Sequence, residues 1–293
     1  VHLVNGAAIN LTGNNSDFKG GFNLTDGSQL TVSDSTQLGG ASAINLQGDN
    51  STLALSGYHT SSDDAFDYQV TGAGTLRLAN GSSITLDGTS QNIDTGVGFD
   101  LDSTNDSLTL SGISRFDHQF RGQGVLNVTQ AQDGFTFGSE AQDSGFTGTV
   151  NMGANSSLTL GGTNQKALDS AALMLSSGST TTLADGTQNI GSLVMNGGSL
   201  VYNNIVDNHG QLVSSGVINA NSINTTAGGT INVNVPTTIT PDINGVPLLE
   251  MDEGKMIITL AKGTATGSGA NLTLLDSNNN SLANNVTTQL SNA

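Results

Sequence analysis

The chain has 293 residues, of which 24 are acidic and 7 basic, for a net charge of −17. That balance argues against a nucleic-acid partner, which needs a basic footprint, and against docking on anionic lipid. The chain has no cysteine, so disulfides, thiolate metal sites and thiol nucleophiles are excluded.

The opening Val1-His2-Leu3-Val4-Asn5-Gly6 reads as a strand and turn rather than a signal peptide, so the chain is expected to be a processed segment of something longer. No run of about 18 apolar residues follows, so no membrane-spanning helix is expected. A short apolar-polar-apolar unit then recurs: Leu30-Thr31-Val32, Leu53-Ala54-Leu55, Leu76-Arg77-Leu78, Ile84-Thr85-Leu86, Leu108-Thr109-Leu110 and Leu158-Thr159-Leu160. Between these lie Phe22-Asn23-Leu24, Ile44-Asn45-Leu46 and Phe99-Asp100-Leu101. Alternation over three to five residues bounded by Gly, Asn or Asp predicts short strands. Their return at roughly 20–25 residues predicts a solenoid, whose repeats close no core alone and must stack. A narrow core suits the composition, with 35% apolar residues, 4% aromatics and no Trp. The regular phasing of the leucines argues against disorder, which the abundant Gly, Ser and Asn would otherwise allow.

Three stretches interrupt the repeat: 58–68, acidic and holding two tyrosines; 114–122, rich in charge and aromatics; and 130–145. In a solenoid such residues become loops on one side of the stack, often the binding side, or else solvated bulges with no partner. The best helical signal, 164–175, predicts one helical turn in a loop. After about Ile190 the pattern shifts to Gly-rich turns and a clean strand at Ile231–Val235. Three prolines between Pro236 and Pro247 precede segments that read as longer hairpins, at 247–251, 255–260 and 271–275. Antiparallel strands there would cap an open coil, shielding its apolar core and unpaired edges.

The units Gly81-Ser82-Ser83-Ile84-Thr85-Leu86, Asn105-Asp106-Ser107-Leu108-Thr109-Leu110 and Asn155-Ser156-Ser157-Leu158-Thr159-Leu160 resemble those of autotransporter (type V secretion) passenger domains. The likeness is to pertactin-like, AIDA-I-like and antigen 43-like adhesins, and 191–275 resembles their autochaperone region. The resemblance implies an all-β fold, a right-handed parallel β-helix of three-strand coils with a C-terminal β-hairpin cap. It divides the chain into a β-helix stem over 1–190 and a capped end over 191–293. It implies export through the outer membrane to the bacterial surface by a C-terminal barrel whose strands this sequence does not contain.

Candidate chemistry is sparse. Asp143-Ser144-Gly145 lacks the flanking glycines of a nucleophile loop, and only His2, His59, His118 and His209 are available as bases. Asp63, Asp64 and Asp67 could offer oxygens to a cation, or form a solvated acidic loop. Alternation through Arg115-Phe116-Asp117-His118-Gln119-Phe120-Arg121 puts Phe116, His118 and Phe120 on one face and the charges on the other. Arg115, Asp117 and Arg121 are therefore either an exposed ion-pair face or a contact for a sulfated or acidic glycan. No catalytic residue, cofactor or metal is expected. The expected function is adhesion, aggregation or biofilm formation through a lateral face, with self-association, host glycan or matrix protein as partner. The rivals are a β-helix polysaccharide-degrading enzyme, which needs grouped carboxylates beside a cation, and a structural stalk.

Overall fold

The computed structural model describes residues 1–61, 64–88, 92–203, 216–233, 250–252, 255–257, 261–275 and 278–281. The fold is an all-β parallel β-helix. The chain forms two compact units, one of residues 1–131 with 136–150 and the other of 132–135 with 151–293. The division expected near residue 190 falls inside the second unit.

In the first unit successive coils contribute to three faces. One face pairs His2–Leu3, Phe22–Leu24, Ile44–Leu46 and Val70–Gly72, all parallel. A second pairs Ala8–Asn10, Gln29–Val32, Thr52–Ser56, Thr75–Ala79, Gly98–Leu101 and Phe120–Gly122. The third pairs Ser83–Asp87, Ser107–Ser111 and Val125–Thr129. Paired residues on neighbouring coils lie 18 to 26 positions apart, as in Ser107 with Val125 and Ile44 with Val70. Every recurrent triplet from the sequence lies in one of these strands or in Ser156–Leu160.

The register explains the core. Leu30, Leu53, Leu76, Phe99 and Phe120 stack as one inward ladder, each at most 1% exposed. Burying each such side chain stabilises the stack by roughly 1.5–3 kcal/mol. Strand ends turn through glycine where a side chain has no room: a Cβ on Gly72 or Gly122 would strike the Leu46 or Leu101 carbonyl, and both have positive φ.

At four strand starts a serine closes the preceding turn. The Ser51, Ser156 and Ser179 hydroxyls donate to the Gln47, Gly153 and Ser176 carbonyls at 2.8, 2.6 and 2.7 Å. Ser82 Oγ lies 2.7 Å from the Ala79 carbonyl and accepts the Tyr58 amide at 3.0 Å. One coil later Asp106 takes this place and is fully buried. Its Oδ1 accepts the Gly81 and Ser82 amides and its Oδ2 the Ser103 amide and hydroxyl, each at 2.8 Å.

The second unit continues parallel pairing. One face carries Ser156–Leu160, Ser179–Leu183, Ser199–Tyr202, Gly229–Val233 and Leu272–Leu275. Another carries Ala172–Ser176, Gly186–Asn196, Gly216–Asn224 and Ala261–Thr266. Polar side chains bridge the coils: Ser176 donates to Asn151 at 2.7 Å, and Asn219 to Asn189 at 2.9 Å. The hairpin expectation holds for Glu250–Asp252 against Lys255–Ile257, which are antiparallel. It fails for 271–275, whose strand pairs parallel with Gly229–Val233. The helical signal at 164–175 resolves into a single 3₁₀ turn, Lys166–Leu168, and then the strand Ala172–Ser176. No helix of the described residues is long and apolar enough to cross a membrane.

Candidate ligand cleft

From the interruption, the segments 58–60 and 64–68 form one wall of a cleft of about 470 Å³ in the first unit. The other wall is the four-residue helix Ser35–Leu38 and the Gly39-Gly40-Ala41 segment after it. The helix forms because Asp34 caps it, its carboxylate accepting the Thr36 amide at 2.8 Å. Gln37 Oε1 accepts the Ser33 amide at 2.8 Å, so the two side chains together close the first turn. Those bonds from Thr36 hold the Asp34 carboxyl below its ordinary pKa.

The wall of 58–60 and 64–68 is pinned at Thr60 and Phe66. The Thr60 and Phe66 amides donate to the Ser83 and Thr85 carbonyls of the next coil at 2.9 and 2.8 Å. Thr60 Oγ1 accepts the Thr85 amide at 2.8 Å. Phe66 is buried, with Tyr58 edge-on at 6.0 Å and Tyr68 tilted at 5.3 Å between ring centres. The Tyr68 hydroxyl lies 3.0 Å from the Ser35 carbonyl and 3.1 Å from that of Gly39, tying the two walls together.

Asp64 and Asp67 line this cleft with His59, and all three are exposed. Asp67 also accepts from Asn92 at 3.1 Å. Burial, then the negative charges of Asp64 and Asp34, push the Tyr68 phenol up. Burial raises the Tyr58 phenol likewise, followed by Tyr68, Asp34 and Asp64. Both carboxylates therefore bear on the same two rings. Among the described residues no Lys or Arg lines the cleft, although Lys19 lies against Gly40. Asp63, expected beside Asp64, lies outside the described residues.

The second candidate cluster is arranged differently. Residues 114–122 do not loop out of the repeat. They supply the strands Arg115–Phe116 and Phe120–Gly122, with the alternation read from the sequence. Phe116 and Phe120 are buried, while Arg115 and Arg121 are exposed. Arg115 pairs with Asp117 at 2.8 Å, Arg121 with Asp100 at 3.3 Å and Arg77 with Asp102 at 2.7 Å. Asp117 also accepts the Glu140 amide at 3.0 Å. The Arg115 bond first, and that amide second, hold its carboxyl below the ordinary range. His118 packs 5.1 Å from Phe99 and 5.2 Å from Phe116, its Nδ1 2.9 Å from the Val97 carbonyl. Burial lowers its pKa against the opposing pull of Val97 and Asp117. Ser144 is likewise occupied, its Oγ accepting the Phe120 amide at 2.9 Å.

Among the described residues no three His, Asp or Glu side chains group as metal ligands. The cleft wall that the sequence did not reveal is 34–41. Its signal was the spacing of Asp34 and Gln37, a capping pair with no helical period behind it.

No family model matches the chain, and no solved structure matches it. It is 28% identical over 172 residues to the uncharacterized protein YuaQ of Escherichia coli K12, covering 55% of this chain and 12% of that protein. It is 28% identical over 191 residues to the uncharacterized lipoprotein YdeK of the same strain, covering 58% of this chain and 14% of that protein. The chain therefore spans about one-eighth of the length of these curated relatives.

Proposed function

We propose that the chain is a recognition segment of a cell-envelope protein of the autotransporter passenger type, displayed at the bacterial surface, where it mediates adhesion without catalysis. The stacked parallel coils and the repeated strand units support the passenger reading, and the lipoprotein relative supports an envelope location. The cleft is the observation that carries recognition. It is the place where two departures from the repeat face each other, with exposed carboxylates between them. A partner other than a second copy is favoured, because the chain carries a net charge of −17 and like faces repel. The polysaccharide-degrading alternative needs a Lys or Arg beside the carboxylates to stabilise developing charge, and among the described residues none lines the cleft.

Display of the chain on a non-adherent bacterium tests this. The expected result is adhesion to host cells or matrix, with no loss of polymer length in polysaccharides incubated with the soluble chain. Absence of both adhesion and aggregation would overturn it, as would polysaccharide cleavage.

A further inference from the structure

We infer that the cleft between 35–41 and the segments 58–60 and 64–68 receives an amino sugar: a saccharide whose free, protonated amine sits beside Asp64 and Asp67. This rests on the recognition reading above and names the chemistry of its ligand.

Three observations converge on that class. The volume, about 470 Å³, lies in the range of small-ligand sites, roughly 300–1,000 Å³. The lining is rich in hydroxyls, from Ser16, Ser35, Thr36 and Thr60, with aromatic surface from the half-buried Tyr68. Such a mixture suits a polyhydroxylated ring, which presents hydroxyls around its rim and C–H groups on its faces. The charge supplies the selection. Asp64 and Asp67 line the cleft and are exposed. Against them stands Lys19, beside Gly40, and the exposed His59 lines the same cleft. A sulfated or carboxylated sugar would meet like charge, whereas an ammonium gains charge-assisted hydrogen bonds. The rival cationic ligand, a basic peptide, is disfavoured by the backbone. Peptides commonly dock by adding a strand to a free sheet edge. Here the Ser83 and Thr85 carbonyls beside the cleft already accept the Thr60 and Phe66 amides.

The test is calorimetric titration of the whole chain with four probes: a glucosamine tetramer, its N-acetylated counterpart, a heparin-derived oligosaccharide and a lysine-rich peptide. The glucosamine tetramer should bind, and about tenfold more tightly than the acetylated one, the order of difference one lost charge-assisted pair makes. Salt should weaken it. The double variant Asp64→Asn with Asp67→Asn should lose about tenfold in affinity while unfolding at the wild-type temperature, since both side chains are exposed. No glucosamine binding, equal binding of the acetylated probe, undiminished binding by the double variant, or preference for heparin or the peptide would each overturn the inference. The two readings fail separately. If the displayed double variant adheres as wild type, the amino-sugar cleft falls and adhesion stands. If glucosamine binds and the displayed chain adheres to nothing, adhesion falls and the cleft stands.

Discussion

Two stretches of the first unit draw on similar side chains and use them in opposite ways. Residues 58–68 combine aromatic rings, a histidine and three aspartates, and 115–121 combine aromatic rings, a histidine and one aspartate. In 115–121 the rings face inward as part of the ladder, and each arginine already has an aspartate within 3.3 Å. In 58–68 the rings instead brace a loop, and Asp64 and Asp67 open onto a cleft lined by no Lys or Arg among the described residues. Composition alone does not separate a binding surface from a strand with an ion-pair face. What separates them is whether each charge already has an opposite charge beside it, one coil or two residues away.

The sharpest way to break that comparison is to remove the centre of the packed stretch. Phe120 is 1% exposed and touches Phe116, Phe137 and Phe146 at ring-centre distances of 5.5, 5.8 and 4.7 Å. Phe120→Ala should cost about 3–5 kcal/mol, through lost burial and a residual cavity. A urea-unfolding midpoint close to wild type would show that the stretch is not core. The next effect belongs to Asp106, whose buried carboxylate holds three amides and a hydroxyl across two coils. Asp106→Ala leaves those donors buried without an acceptor and should cost about 2–3 kcal/mol. Faster hydrogen exchange at the Gly81, Ser82 and Ser103 amides would report the loss locally.

A third substitution should act in the opposite direction. Thr181 stands in register between Leu158 and Leu200, fully buried, and its hydroxyl has no hydrogen-bond partner. Thr181→Val keeps the shape and removes a desolvated hydroxyl, so it should stabilise the fold by about 1 kcal/mol. A lowered unfolding midpoint would mean that the hydroxyl is satisfied in solution.

These sites also show what the sequence reveals and what it hides. The apolar-polar-apolar triplets identify their strands because an inward position in a narrow stack must be apolar. The same rule reads the faces of 115–121 correctly. It does not read the direction of a partner. Leu272–Leu275 alternates like a hairpin strand, yet its partner is one coil away and parallel. Ser51, Ser82, Ser156 and Ser179 mark strand starts in the sequence, but their bonds to turn carbonyls are visible only in three dimensions. The cleft was half legible. The 58–68 insertion breaks the repeat visibly, whereas a helix as short as Ser35–Leu38 completes only one turn and leaves no period to detect.

The smallest expected effect is the most discriminating for the comparison. Arg121 is 62% exposed and lies 3.3 Å from Asp100, which it faces in register across the strand pair. An exposed pair of this kind contributes about 0–1 kcal/mol, less at high salt. Arg121→Ala should therefore leave the unfolding midpoint within about 0.5 kcal/mol of wild type, and surface adhesion unchanged. The reading of Arg115 and Arg121 as a contact for sulfated or acidic glycan requires the reverse, folding intact and binding lost. An anionic glycan would have to displace Asp100 from Arg121 and Asp117 from Arg115, and Asp117 is held a second time by the Glu140 amide. Adhesion lost in Arg121→Ala and kept in the Asp64→Asn, Asp67→Asn variant would move recognition from the cleft to the strand face. It would also show that a partnered charge can still be the one a ligand uses.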